Sequence, residues 1–279
     1  GRPIDPTPAA GGPEGGTEAL RAEFEAEGRG ERTTVPLPWP FLQDAARALR
    51  PGTLTVLVGP SGHGKSLLSL QIAVHVHREA WPWAYLPLED RKADFERRLL
   101  AFLAGTWEPI ADSPEGAEGR KALLDRYGDD LADLARHVSE NPRLPVLGPD
   151  GKATAPALPY GDVLRWVERE AETARLIVID PLAQIDFDGL HSWLGEKDFI
   201  RRLIAAVAHR QCSLLLNAHL VKRPGKAGTI PLTGEDLQGA AEIKRLAHTV
   251  LLLEQHPERE SEIVPCVGGR IKKSHRFTV

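Results

Sequence analysis

The chain has 279 residues, 42% of them hydrophobic and 27% charged, with a formal net charge of −4. That apolar share can build a buried core, which excludes wholesale disorder, and the length suits one large domain or two small ones. A net negative charge excludes a protein that coats nucleic acid by bulk electrostatics, though it leaves room for local basic patches. No apolar run approaches the roughly 18 residues of a membrane span, so no membrane partner is expected. Two cysteines, Cys212 and Cys266, cannot form a disulfide framework and point to a reducing, cytoplasmic setting.

Residues 1–32 hold 4 Pro and 7 Gly and carry a net charge of −3. Such a stretch buries too little apolar surface to offset its ordering entropy and reads as a flexible Gly/Pro/Glu-rich arm. Leu20 and Phe24 give a hint of helix within it, and docking on a neighbouring subunit is the alternative to a free leader. From residue 33 to 279 the pattern is one alternation of strands and helices. Thr53–Val58 reads as a strand that ends at Gly59. Lys65–Glu79 reads as a helix, with Leu68, Ile72 and Val76 on one face. Trp83–Leu88 is the next strand, followed by a helix carrying Phe95, Leu99, Phe102 and Leu103.

Residues 105–160, rich in Pro, Gly and charge, read as an irregular insertion with one short helix near 121–138. Asp162 is placed to cap a helix bearing Val163, Trp166 and Val167. Leu176–Ile179 is a continuous apolar run of the kind found in buried parallel strands. Phe199, Ile200, Leu203, Ile204 and Val207 mark another helix, and Ser213–Leu216, Thr249–Leu253 and Ile263–Val267 complete the strands. The expected fold class is α/β, a mostly parallel sheet with helices on both faces.

The most specific segment is Gly59-Pro-Ser-Gly-His-Gly-Lys-Ser66, which fits G-x-x-x-x-G-K-[ST] between a strand and a helix. Glycines at 59, 62 and 64 let backbone N–H groups turn towards a phosphate, and the helix N-terminus adds its dipole. The segment therefore assigns Gly59, Pro60, Ser61, Gly62, His63, Gly64, Lys65, Ser66 and Leu67 to a bound nucleotide. Lys65 suits the β- and γ-phosphates and Ser66 a Mg²⁺ ion, while His63 is expected to face solvent. Asp180, emerging from the buried run 176–179, suits the second Mg²⁺ anchor. Glu89, at the end of Tyr85-Leu-Pro-Leu-Glu-Asp90, suits a general base for water, with Asp90 as the competing carboxylate. His75 and His77 point apart on a helix and make no metal site, and the cysteines lack zinc-ligand spacing.

With Arg50-Pro-Gly-Thr-Leu-Thr-Val before the glycine-rich loop, Tyr85-Leu-Pro-Leu-Glu-Asp, and Leu-Ile-Val-Ile-Asp-Pro-Leu182, residues 36–279 resemble RecA-fold P-loop ATPases. The group is that of DnaB-type replicative helicases, KaiC-like ATPases and plasmid RepA helicases, and the Leu-Pro-Leu-Glu-Asp strand end is closest to the RepA-like branch. The resemblance implies a RecA-like P-loop NTPase core, ATP and Mg²⁺ as ligands, and Glu89, Lys65 and Asp180 as catalytic residues. It places a γ-phosphate sensor at His219 in Leu216-Asn-Ala-His-Leu-Val-Lys222. It implies a DNA-gripping loop at Lys222, Arg223 and Lys226, a stretch without a stacking aromatic. Lys273-Ser-His-Arg276 lies where relatives insert an arginine finger into a neighbour's site, with one residue more in the spacing. Arg276 is the assigned finger, and Arg270 and Lys273 remain open.

The implied activity is ATP hydrolysis driving a helicase-type motor on single-stranded DNA, in a homo-hexamer or other ring with ATP sites between subunits. The alternatives are a KaiC-like regulatory ATPase with a protein partner and a recombinase-like ATPase that forms filaments. Residues 222–279 carry a net charge of +3, so the positive share of the chain falls where the resemblance places DNA and the neighbouring site.

Overall fold

The computed structural model describes residues 13–29, 34–40, 42–43, 48–106, 108–110, 116–140, 146–147, 153–154, 158–187, 192–219, 245–255, 264–266, 269–271 and 275–278. The chain divides into two compact units, Gly1–Thr34 and Val35–Val279. The first contains helix α1, Pro13–Gly28, which exposes Leu20 and Phe24. All of Glu18–Glu27 except Phe24 is made of strong helix formers (Ala, Leu, Glu, Arg), which explains a helix inside a segment read as an arm.

In the second unit the elements follow in this order: β1 (Leu54–Gly59), α2 (Lys65–Arg78), β2 (Trp83–Pro87), α3 (Lys92–Ala104), α4 (Ala117–Ala135), β3 (Val146–Leu147), β4 (Ala153–Thr154), β5 (Leu158–Pro159), α5 (Tyr160–Glu170), β6 (Leu176–Asp180), β7 (Ile185–Asp186), α6 (Ser192–Arg210), β8 (Ser213–His219), β9 (Thr249–Gln255), β10 (Val264–Cys266), β11 (Gly269–Ile271) and β12 (His275–Thr278). The main sheet has six strands in the order β12-β9-β1-β8-β6-β2. Its pairs are parallel except β12 against β9.

Strand side chains alternate between faces, and the core divides accordingly. Leu54, Val56, Val58, Ile177 and Ile179 join Val163, Val167, Phe199 and Leu203 of α5 and α6 in one apolar cluster. Leu57, Leu176 and Val178 join Ile72 and Val76 of α2 and Phe95 and Leu99 of α3 in the other. Helices therefore cover both faces of a mostly parallel α/β sheet, a RecA-like P-loop NTPase core. The register sets the ends of neighbouring parallel strands level: Gly59 lies opposite His219, and Pro87 opposite Asp180.

Four local expectations change. The helix in the insertion, α4, runs for 19 residues and packs on α3. The residues after it line the outer edge of β2: the Tyr85 N–H donates to the His137 carbonyl at 2.9 Å, and the Ser139 N–H to the Tyr85 carbonyl at 2.9 Å. The insertion thus pairs part of an edge that would otherwise offer open backbone groups.

Asp162 is not a cap. The helix starts earlier, with Pro159 at the capping position, and Asp162 sits in the first turn bonded to Arg165. The run 263–267 contributes β10, which pairs with β11 in a separate antiparallel hairpin. β12, within the basic C-terminal segment, takes the sheet edge instead, and Arg276 stands opposite Glu254 in its register. Among the described residues no helix is long and apolar enough to cross a membrane.

Candidate active site

β1 ends in the glycine-rich turn that α2 continues. Gly59 and Gly64 need to be glycine for different reasons. A Cβ on Gly59 would stand 2.8 Å from the Leu253 carbonyl oxygen of β9, a separation real Cβ atoms do not reach. Gly64 has φ +89°, a left-handed conformation that a side chain would strain. Gly59 therefore serves strand packing, whereas the turn itself depends on the positive φ of Gly62 and Gly64. His63 is half-buried, with its Nδ1 shielded from solvent, which departs from the solvent-facing expectation.

Lys65, the first residue of α2, is only 5% exposed. Its Nζ donates to the carbonyl oxygens of Gly59 at 2.8 Å and Pro60 at 3.0 Å, and lies 3.4 Å from His219 Nδ1. Burial pulls the Lys65 ammonium below its usual value, opposed by the charges of Asp180 and Glu89. A desolvated cation with carboxylates nearby is set to exchange weak carbonyl partners for phosphate oxygens. An ammonium has no lone pair, so Nδ1 of His219 must be the acceptor and Nε2 carries the proton.

From Nε2, His219 reaches Glu89 Oε1 at 3.5 Å. Glu89 follows β2 and is about half exposed. The His219 bond holds its carboxyl below the usual carboxylate range, partial burial works against this, and a bond from Gln184 adds to the lowering. Asp90, the competing carboxylate, is engaged elsewhere: Arg98 of α3 bonds it at 2.6 Å. Burial raises the Asp90 carboxyl, with Arg98 opposing. The pairing ties Asp90 to α3 and leaves Glu89 as the carboxylate bonded to His219.

Asp180 ends β6 and is 5% exposed. Its Oδ2 accepts the Tyr85 hydroxyl proton at 2.7 Å, within the sheet. Tyr85 lies opposite Val178, so the two side chains are diagonal neighbours on one sheet face. Burial, reinforced by the Asp180 charge, raises the Tyr85 phenol well above its usual value, so it stays a donor. The Leu88 N–H also donates to the Asp180 carbonyl at 2.6 Å, which fixes the end of β6 against the residue before Glu89.

Lys65, Glu89, Asp180 and His219 thus come from four elements and lie at one edge of the sheet, together with Ser66. Three further side chains take part without a predicted role: Gln184, Tyr85 and Arg98. The aromatic opening Tyr85-Leu-Pro-Leu-Glu gave a signal for Tyr85, since residues 85 and 89 bracket a strand end; Gln184 and Arg98 gave none. Lys222, Arg223, Lys226 and Lys273 lie outside the described residues. Arg270 is on β11 and Arg276 on β12. Cys212 is buried, which pushes its thiol up to about 12. No group of three or more His, Cys, Asp or Glu among the described residues could hold a metal ion.

A family model described as AAA domain matches residues 40–225. Among solved structures, the chain is similar to a DnaB-like replicative helicase, in a structure that also treats its interactions with primase. The identity is 13% and the TM-score 0.65, over 85% of this chain and 56% of that chain. It is also similar to the ATPase domain of G40P, at 13% identity and TM-score 0.62, over 94% of this chain and 93% of that one. A weaker likeness, TM-score 0.44 at 13% identity, covers 75% of this chain and 78% of the RadB recombinase. The chain thus spans little more than half the length of the DnaB-like helicase, and at such identities the likeness is one of fold. No curated protein sequence matches. The family match covers more than half of the chain and contains the whole phosphate loop, so the chain belongs to the AAA domain family and is a P-loop ATPase.

Proposed function

We propose that the chain is one subunit of an ATP-driven motor of the replicative-helicase type, acting on single-stranded DNA, with ATP sites between the subunits of a hexamer. The observation that carries this reading is the convergence of Lys65, Glu89, Asp180 and His219 at one sheet edge. The likeness in fold to a DnaB-like helicase and to the G40P ATPase domain supports the choice of motor. The closeness of Leu-Pro-Leu-Glu-Asp to RepA-type helicases belongs to this proposal too, as do the arm at 1–32, the ATPase domain at 33–279 and a cytoplasmic site of action.

In this reading Lys65 leaves the Gly59 and Pro60 carbonyls for the β- and γ-phosphates of ATP. Ser66 and Asp180 present a hydroxyl and a carboxylate, the hard oxygen donors that suit Mg²⁺ arriving with a nucleotide. Bound there, Mg²⁺ would neutralise charge on the phosphate oxygens. Glu89 takes a proton from water, the water oxygen forms a bond to the γ-phosphorus, and the bond from that phosphorus to the bridging oxygen of ADP breaks. His219 senses the γ-phosphate through Lys65 and passes the state of the site to the loop at 222–228. Arg276 of one subunit serves as the finger for the next.

Lys222, Arg223 and Lys226 grip the phosphodiester backbone. Binding of a labelled single-stranded oligonucleotide then weakens steeply with salt, with a log–log slope of about −2 for three phosphate contacts per subunit. Replacing all three residues with alanine flattens that slope. A second reading, a KaiC-like regulatory ATPase with a protein partner, is favoured by the net charge of −4 and by the lack of a stacking aromatic at 222–228. Oligonucleotide binding that is absent, or that ignores salt, selects it over the motor.

A further inference from the structure

We propose that Gln184 is a positioning residue for hydrolysis: with His219 it holds Glu89 Oε1, so that Oε2 is the oxygen turned to the attacking water. This rests on the reading of Glu89 as general base and adds the device that aims it. Gln184 Nε2 donates to Glu89 Oε1 at 3.4 Å, and His219 Nε2 lies 3.5 Å from the same oxygen. The two donors come from different places, one from the turn after β6 and one from the end of β8. Both contacts are long, as catalytic contacts are before substrate arrives and tightens them.

Glu89 is 45% exposed, so without partners its side chain would be free to rotate, and holding it in one pose has an entropic cost. Gln184 is well placed to impose that pose. It closes a short 3-10 turn, Leu182–Gln184, in which its N–H donates to the Pro181 carbonyl at 3.3 Å. Leu182 and Ile185 on either side are buried in the core at 6% exposure each. The amide is therefore delivered from an anchored turn.

Its chemistry also fits the task. A carboxamide is a neutral donor, so it fixes one carboxylate oxygen without the strong loss of basicity that a guanidinium or ammonium would cause. The contrast is the next residue, where Arg98 grips Asp90 at 2.6 Å and makes it a structural carboxylate. Glu89 meets the charge of Lys65 on α2, the imidazole of His219 on β8 and the carboxylate of Asp90 beside it, while Asp180 on β6 acts on Lys65 and Asp90. Gln184 adds a donor to that ring without adding charge.

The test uses the full chain with Mg·ATP and, where it stimulates, single-stranded DNA. Gln184→Met keeps the length and removes the donor; Gln184→Glu keeps the shape and opposes Glu89 with a second carboxylate. Expected for Gln184→Met is a kcat about tenfold lower with KM for ATP within twofold, the loss of orientation alone. The acid limb of the kcat/KM profile moves to higher pH in Gln184→Met and further in Gln184→Glu, since each raises the carboxyl of Glu89. A limb that stays in place in both variants overturns the proposal, whatever the rates. Complete loss of hydrolysis with fluorescent-nucleotide affinity retained supports it, and loss of that affinity overturns it. Glu89→Gln separates the two levels: if it hydrolyses ATP at the wild-type rate, the general-base reading fails. If it is inactive while both Gln184 variants match wild type, only the role of Gln184 fails.

Discussion

The sheet carries a polar cluster at each end, and the two are built from similar parts. At the start of β2, His77, His137, Trp83 and Asp133 come together. His77 Nε2 bonds Asp133 at 2.9 Å, its Nδ1 accepts the Trp83 indole N–H at 3.4 Å, and His137 Nδ1 meets the Trp83 carbonyl at 3.1 Å. The His137 and Trp83 rings stack with centroids 4.9 Å apart. Both nitrogens of His77 are occupied, and the cluster closes on itself across α2, β2 and α4. At the other end, Lys65, His219, Glu89 and Gln184 form a chain whose side-chain links are 3.4–3.5 Å long, around a desolvated ammonium on carbonyl partners. A closed network stabilises a fold, whereas an open one can exchange its partners for a substrate.

Substitution should separate the two ends. The largest effect is expected for Lys65→Ala, which removes the cation from the phosphate site and abolishes measurable ATP hydrolysis in a steady-state assay. Next is Glu89→Gln, with kcat down about 10²–10⁴-fold, the range for a lost general base, and nucleotide binding by fluorescence titration retained. Tyr85→Phe removes the donor to buried Asp180 Oδ2. A hydrogen bond to a charged group contributes about 1.5–3 kcal/mol, so urea unfolding should show a loss of that size.

At the other end, His77→Ala should cost about 1 kcal/mol in urea, the scale of one lost hydrogen bond, and leave kcat within twofold of wild type. A large fall in kcat there would break the distinction between the ends. The smallest effect is on pH. Burial holds both His77 and His137 below their usual values, with the nearby Arg136 charge also lowering both. The folded state keeps them neutral, while the unfolded chain takes up protons near pH ~6.5. Their contribution is therefore complete above that pH and is lost as pH falls through it to the lower folded values. Melting temperature should drop between pH 7.5 and 5.5, and drop less in a His77→Ala, His137→Ala double variant.

The differing legibility of the two ends has a physical cause. The phosphate loop was readable because its glycines, lysine and serine must be contiguous, and Glu89 and Asp180 because each follows an apolar strand. Strand periodicity likewise exposed the parallel sheet, since buried runs such as Leu176–Ile179 have few other uses. Contacts between distant segments left no trace of that kind. Gln184 reaches Glu89 through a turn whose geometry depends on two buried neighbours, and the Tyr85–Asp180 bond depends on the β2–β6 register. The cover over β2 depends on residues 137–139 returning to the sheet after α4, where the sequence suggested only the end of a short helix and irregular chain. Asp162 misled because a good capping residue can equally well sit inside a first turn and pair with Arg165.

The most direct test of the motor is the steady-state ATP hydrolysis rate of the full chain, with and without a single-stranded oligonucleotide, at low and high salt. For a DNA-driven motor the rate rises several-fold with the oligonucleotide at low salt, loses that rise at high salt, and is absent in Lys65→Ala. A wild-type rate that is the same with and without DNA at every salt concentration would contradict it.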